Sequence, residues 1–96
     1  GKIMDDEKEK VVQHVSLQAY LEDCGIQDHN TACAAALIME NIRGEYPTDE
    51  LVTAEPFSSA VTYLEAAGLV TGKPLHLTDL GLDVYKSKPP TVHFVQ

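Results

Sequence analysis

Positive charge is scarce in this sequence. Seven Lys and Arg stand against fifteen Asp and Glu, which gives a net charge of −8 at pH 7. A chain this acidic repels phosphate backbones at long range and favours basic or neutral partners. The stretch between Arg43 and Lys73 contains no Lys, Arg or His at all. The middle of the chain is therefore purely anionic, and DNA binding would require a local basic patch built from the remaining cations.

The signatures of common enzyme sites are missing as well. The sequence contains no GxxxxGKS/T, GxGxxG, HExxH or GxSxG, so phosphate loops, dinucleotide folds, zinc proteases and nucleophile elbows lack their motifs. The four histidines are scattered, and none stands at a recognisable spacing from a Ser or Cys with an orienting acid. Asp79 and Asp83, one helical turn apart, are more typical of a solvated helix face than of a general acid and base. We therefore predict that the protein is not an enzyme and has no catalytic residue or cofactor.

Cysteine is limited to Cys24 and Cys33. In a chain without a secretion signal, a lone pair is typical of two reduced thiols, with a disulfide between them as the alternative. Together with His29 the cysteines supply three candidate metal ligands, one fewer than zinc sites use, and they form no CxxC or HxxxH pair. The sequence predicts no metal site, and both cysteines are interpreted as small core residues on helix faces.

Long hydrophobic runs are also lacking. No stretch approaches the roughly 18 apolar residues that a membrane span requires, and the N-terminus has no signal-peptide pattern. A cytoplasmic protein without membrane contact is expected. The three residues before Met4 are interpreted as a cloning remnant. The 44% of apolar residues are spread along the 96-residue chain, which predicts one domain over residues 11–96 after a tail or first helical turn over residues 1–10.

What the sequence does contain is a succession of helix signals. Each is a capping residue followed by apolar residues at helical spacing. The predicted helices span residues 17–24, 32–43, 49–54, 56–67 and 79–85. The predicted N-caps are Ser16, Asn30 or Thr31, Thr48 and Thr78, with Pro56 as the first residue of its helix. The predicted C-terminal stops are Gly25, Gly44 and Gly68, the last followed by Leu69 for the hydrophobic contact of a Schellman motif.

Strand signals are short and lie late in the chain. Residues 69–71 and 75–77 flank a turn at residues 72–74 and predict a compact hairpin. The alternating residues 91–95 predict a terminal strand. Residues 11–15 fit either a strand that pairs with this tail or the start of the first helix. The fold class is therefore mainly α with a small β-hairpin.

Two motifs in the second half of the chain resemble the winged helix-turn-helix superfamily. Residues 63–70, YLEAAGLV, resemble the third helix of that fold running into its first wing strand. Residues 77–81, LTDLG, resemble the Leu-Thr-x-x-Gly that leads from the second wing strand into the last helix. The order of helix, short helix, helix, hairpin and helix agrees, and the resemblance covers Thr31 to Lys86. It implies a winged-helix-like α+β domain and the family's common role as a DNA-binding transcriptional regulator.

The helix predicted over residues 56–67 occupies the place of the DNA-reading helix of that family. Such helices contact base edges through Arg, Lys, Asn and Gln, and residues 56–67 contain none of these. Helical spacing puts a neutral stripe opposite a core stripe of Phe57, Val61 and Leu64. The predicted partner-binding residues are Ser59, Thr62, Tyr63 and Ala66 of this stripe together with Lys73 of the wing. The alternative is that the stripe is ordinary solvent-exposed surface.

These observations predict an acidic regulatory or adaptor module that acts through protein–protein contacts. One candidate partner is a second copy of the chain, in a homodimer formed through the N-terminal segment or the terminal strand. The alternative is a DNA-binding transcriptional regulator of the winged helix-turn-helix type. Charge placement favours the protein-binding module over the regulator.

Overall fold

The structure is a computed structural model that describes residues 16–88, 90–92 and 94. The predictions for residues 1–10 and 11–15 fall outside these residues. In chain order the described elements are α1 (Leu17–Asp23), α2 (His29–Arg43), a single 3-10 turn (Leu51–Thr53), α3 (Phe57–Ala66), β1 (Val70–Thr71), β2 (His76–Leu77) and α4 (Asp79–Ser87). The protein is thus mainly helical with a small antiparallel hairpin, as predicted. Every helix within the described ranges is too short or too polar to span a bilayer.

Helix α1 begins and ends close to the predicted residues. The Ser16 hydroxyl accepts a hydrogen bond from the Ala19 N–H at 3.3 Å, which confirms the predicted N-cap. The helix ends in a Schellman motif, in which the Ile26 N–H donates to the Leu21 carbonyl at 3.1 Å. This motif needs a left-handed residue, and Gly25 supplies it with φ +121°.

Helix α2 starts earlier than predicted. Its N-cap is Asp28 instead of Asn30 or Thr31, and its first residue is His29. The Asp28 carboxylate accepts from the Thr31 N–H at 2.9 Å and from the Thr31 hydroxyl at 2.8 Å. Because of these two bonds, Thr31 completes the cap from inside the first turn. They also stabilise the ionised carboxylate and lower the pKa of Asp28, the Thr31 hydroxyl having the larger effect.

Helix α2 forms the centre of the core. Most of its residues are buried, and it packs against α1, α3, β2 and α4. Four of the buried positions are alanines, whose small side chains let neighbouring helices approach closely. The buried residues of α2 are Thr31, Ala32, Cys33, Ala34, Ala35, Ala36, Ile38 and Met39. A helix covered on nearly all sides is typical of the interior of a domain.

Helix α2 ends at Arg43 as predicted, but the glycine after it does not adopt the expected conformation. Gly44 has φ −84°, and the left-handed residue of the Schellman motif is Glu45, with φ +63°. The Tyr46 N–H donates to the Asn41 carbonyl at 2.9 Å and closes the motif. A non-glycine residue therefore occupies a position that favours glycine.

The segment from Thr48 to Gly68 contains the 3-10 turn and α3. The predicted short helix over 49–54 is reduced to the 3-10 turn, and Pro56 is the N-cap of α3 instead of its first helical residue. The end of α3 is as predicted. Gly68 has φ +76°, and the Leu69 N–H donates to the Leu64 carbonyl at 3.0 Å to form a Schellman motif.

The hairpin and α4 are tied to the end of α3. Val70 pairs with Leu77, so the strands are one residue shorter than predicted. The Thr78 hydroxyl donates to the Gly68 carbonyl and accepts from the Gly81 N–H, which confirms Thr78 as the N-cap of α4. A Cβ atom on Gly81 would overlap the carbonyl oxygen of Leu69. The Thr-x-x-Gly motif thus allows α4 to start directly against the backbone after α3.

The tail does not form the predicted strand in its described residues. Thr91, Val92 and Phe94 lie outside any strand. The Thr91 N–H donates to Oε1 of the buried Gln18 side chain at 3.0 Å. The centroids of the Phe94 and Phe57 rings are 6.2 Å apart. The backbone hydrogen bond expected from a strand neighbour is therefore made by a side chain of α1, and the tail packs against the helical core.

Candidate functional site

A narrow buried edge anchors helix α3. Ala60 and Leu64 are its fully buried residues, and Phe57 packs against the same core while partly exposed. The predictions that Leu64 is buried and Thr62 exposed are confirmed. The prediction for Val61 is wrong in degree, because this side chain is only half-buried. The core contact is centred on Ala60 and Leu64, so Val61 lies at the margin of the accessible side of α3.

Ser59 is half-buried instead of exposed. Its hydroxyl donates to the Glu55 carboxylate at 2.8 Å to Oε1 and 2.6 Å to Oε2. The Ser58 hydroxyl donates to the same Oε1. These bonds stabilise the ionised form and lower the pKa of Glu55, the Ser58 hydroxyl having the largest effect. Ser59 is therefore engaged at the start of α3 and is not a freely available contact residue.

Tyr63 and Ala66 lie together on one side of α3, as predicted for the partner-binding stripe. Tyr63 is 46% exposed, and Ala66 is exposed. Both line a small cleft of about 140 Å³ with Cys24 and Ile26, which follow α1. Tyr63 thus stands at the junction of two helices. Cys24 is exposed at the end of α1, so its prediction as a core residue is wrong, whereas Cys33 is buried as expected.

Lys73 lies in a different cleft from Tyr63. We call this cleft the α3 groove; it has a volume of about 630 Å³ and is lined by Thr48, Asp49, Val52, Val61, Glu65, Gly72, Lys73, Pro74 and Leu75. The 3-10 turn region, α3 and the hairpin turn each contribute one wall. Helical geometry places Val61 and Tyr63 about 200° apart around the α3 axis. The predicted partner-binding residues therefore fall into two groups, with Tyr63 and Ala66 on one side of α3 and Lys73 on the other.

The α3 groove has an apolar lining and a charged rim. Val52, Val61 and Leu75 are half-buried and belong to the margin of the hydrophobic core. Asp49 and Glu65 are exposed at the rim, and neither makes an ion pair or a side-chain hydrogen bond with the described part of the chain. The arrangement suits apolar side chains inside and positive charges at the edge.

The described residues contain four Lys and Arg, which are Arg43, Lys73, Lys86 and Lys88. Lys73 lies on the α3 groove, while Arg43 lines a separate cleft with Asp79. The ammonium group of Lys88 lies 5.7 Å from the centre of the Tyr20 ring, a cation–π distance. Arg43, Lys73 and Lys88 therefore have different neighbours.

A second cluster joins α1 to α2. His29 Nδ1 lies 3.4 Å from a carboxylate oxygen of Glu22, and His29 Nε2 lies 3.4 Å from Sγ of Cys33. The succession of acid, imidazole and thiol is that of an activated cysteine nucleophile. However, Cys33 is fully buried within α2, so a substrate has no access to its sulfur. His29 and Cys33 are four residues apart on one helix, a relation that is absent from the predicted helix because that helix starts only at Ala32.

The same cluster does not surround a metal position. Glu22 and Cys33 face different nitrogens of one imidazole ring, so the three groups cannot point at a common ion. No group of three or more His, Cys, Asp or Glu within the described ranges is arranged to hold a metal.

Comparison with known proteins adds no family assignment. A scan against protein-family models, a search of curated proteins and a search of solved structures each found no match for this chain.

Proposed function

We propose that this protein is a small acidic adaptor or regulatory module, built on a winged-helix-like scaffold, that acts in the cytoplasm by binding another protein. The observation that carries the proposal is the accessible side of α3. It presents Thr62, Tyr63 and Ala66, which include an aromatic side chain but no cation. A partly exposed tyrosine among small neighbours is typical of protein-contact surfaces, in which aromatic residues are enriched.

The element order supports the winged-helix part of this proposal. The 3-10 turn, α3, the hairpin and α4 follow one another as the resemblance implies, and the Thr78 and Gly81 contacts join the hairpin to α4. The same order favours a DNA-binding regulator as the second candidate function. Against it stands the charge of α3, because a reading helix without Arg or Lys releases no counterions from phosphates.

A DNA titration separates the two candidates. Labelled random duplex DNA, titrated across a salt series, should bind no tighter than the weak nonspecific range of about 1–100 μM at physiological salt. Specific binding tighter than about 0.1 μM with a steep salt dependence would contradict the proposal and favour the DNA-binding regulator.

Substitution of Tyr63 tests the contact surface directly. Tyr63→Ala should weaken capture of whatever protein the wild type binds and should leave the protein folded, because nearly half of the side chain is exposed. Thr71→Ala, on the exposed side of the hairpin, is the matched control and should leave capture unchanged. A Tyr63→Ala protein that unfolds would place the side chain in the core and remove the proposed anchor.

The protein partner can be a second copy of the same chain, which would make the protein a homodimer. Light scattering after size exclusion would then give a dimer mass that rises with protein concentration. A strict monomer at high concentration would restrict the proposal to other proteins.

A further inference from the structure

We propose that the α3 groove binds a basic amphipathic peptide segment of another protein, with apolar side chains inside the groove and Lys or Arg at its rim. This inference rests on the proposed function, since it names the chemistry of the protein partner. It adds to the contact proposed at Tyr63 a second contact, on the opposite flank of α3. The occupant is a segment of a different chain.

The size of the groove matches the apolar part of such a segment. Its volume of about 630 Å³ lies within the range of pockets that enclose a drug-sized ligand, and it can receive several side chains of a peptide. Val52, Val61 and Leu75 line it and are half-buried, so their remaining apolar surface is available for contact. An amphipathic helix that inserts its apolar face into a groove between secondary-structure elements is a recurring mode of peptide recognition.

The acidic residues around the groove favour a partner segment that carries positive charge. Asp49 and Glu65 stand at the rim on different elements, and Glu50 is exposed beside Asp49. The single cation of the groove, Lys73, makes no ion pair with either rim acid in the described structure. These two carboxylates, neither of which is in an ion pair within the described residues, therefore attract positive charges that flank an apolar anchor, and they repel an acidic segment.

The nature of the walls explains why a peptide fits better than nucleic acid. A strand of DNA or RNA would bring its phosphates to a rim with two acids and one lysine, and this contact is repulsive. The lining residues come from the 3-10 turn region, α3 and the hairpin turn, so the apolar face of a helical segment can contact side chains from all three.

Selection from a random 16-residue peptide library displayed on phage tests the proposal even while the natural partner is unidentified. The expected enriched peptides carry two or three large apolar residues at helical spacing, flanked by Lys or Arg. Enrichment of acidic or uncharged peptides, or no enrichment, would overturn the proposal.

Matched charge reversals then locate the binding. A synthetic enriched peptide with a fluorescent label is titrated against the wild type and against an Asp49→Lys, Glu65→Lys double variant. The double variant should raise the Kd about tenfold or more, because each attraction becomes a repulsion. A Glu40→Lys, Asp83→Lys double variant has the same net charge change on exposed positions of α2 and α4 and should raise the Kd less than threefold. Thermal unfolding of both variants confirms that they are folded.

An apolar variant tests the lining. Val61→Thr nearly keeps the volume of the side chain but replaces a methyl group with a hydroxyl, and it should raise the Kd about fivefold or more by placing a polar group against the anchor. Amide chemical shifts that move on binding should map to the α3 groove. Equal Kd values for the two double variants would overturn the groove assignment. In that case, loss of binding in Tyr63→Ala would preserve the proposed function at the other side of α3, whereas specific DNA binding would contradict both.

Discussion

Helices α2 and α3 pack against each other, yet they are buried to very different degrees. Eight of the fifteen residues of α2 are buried, compared with two of the ten residues of α3. The alanine-rich α2 is surrounded by α1, α3, β2 and α4, whereas α3 contacts the core along one edge. Helix α2 therefore forms the interior of the fold, whereas α3 contributes accessible surface. Both faces of interest, the cleft at Tyr63 and the α3 groove, are flanks of α3.

The largest expected effect concerns the attachment of α3. Leu64 is its only large, fully buried side chain, so Leu64→Ala should destabilise the protein by about 2–5 kcal/mol through lost burial and a residual cavity. Ile38→Ala on α2 should cost a similar amount, since Ile38 is equally buried. Chemical denaturation measures both. A loss below about 0.5 kcal/mol for Leu64→Ala would mean that α3 is held by contacts other than its buried edge.

The next effect concerns the joint between α3 and α4. Gly81→Ala would force a methyl group against the Leu69 carbonyl and should destabilise the protein by about 1–3 kcal/mol. Gly68→Ala is the matched variant: it meets open space but keeps a left-handed backbone, so it should cost about 1 kcal/mol through strain alone. Thermal unfolding that ranks Gly68→Ala as the more damaging change would argue against the close approach at Gly81.

A smaller effect, a gain in stability, is expected from a substitution at the end of α2. Glu45→Gly should stabilise the protein by about 0.5–1 kcal/mol, because glycine adopts the left-handed conformation without the steric cost of a Cβ atom. Glu45→Ala removes the same charge but keeps the Cβ atom. It therefore separates the effect of the lost charge from the effect of the backbone conformation. If Ala and Gly stabilise equally in urea unfolding, charge and not backbone conformation is responsible.

The smallest effect concerns Asp28 and Glu55, the acidic residues at the starts of α2 and α3. The pKa of Asp28 is lowered by the Thr31 hydroxyl and N–H, and that of Glu55 is lowered by the Ser58 and Ser59 hydroxyls. Because each folded-state pKa lies below the unfolded value, the unfolded chain binds protons first as the pH falls. The stabilisation is fully present above the unfolded pKa values of about 4, and it is lost as the pH falls through the folded values.

Carboxyl titration by NMR measures this effect. Ser58→Ala with Ser59→Ala should raise the pKa of Glu55 towards its ordinary value and leave that of Asp28 unchanged. Thr31→Val should act on Asp28 only. A common shift of both groups in either variant would indicate a general charge effect in place of the local hydrogen bonds.

Local signals in the sequence predict the ends of most elements. Ser16, Gly25, Gly68 and Thr78 cap or stop helices where expected, because each acts through backbone groups within a few residues. The same local signals fail where residues close together in the sequence can each take one role. Asp28 caps α2 in place of Asn30 or Thr31, and Glu45 takes the left-handed position next to Gly44.

The sequence also determined the chemical character of the surface. The absence of cations between Arg43 and Lys73 makes the accessible side of α3 acidic or neutral in any fold. It could not determine how α3 is rotated against its neighbours. Helical spacing defines two opposite faces of an isolated helix, but the elements that pack beside it decide which flank is covered.

Only the tertiary structure decided which residues share a site. The sequence predicts Lys73 and Tyr63 on one surface, yet the hairpin turn places Lys73 beside Val61 and Glu65. The contacts of His29 with Glu22 and Cys33 likewise depend on where α2 begins and how α1 meets it. The physical reason is that a groove is formed by the relative positions of several elements. Those positions follow from core packing at Leu64 together with the close contact at Gly81, and helical spacing alone does not specify them.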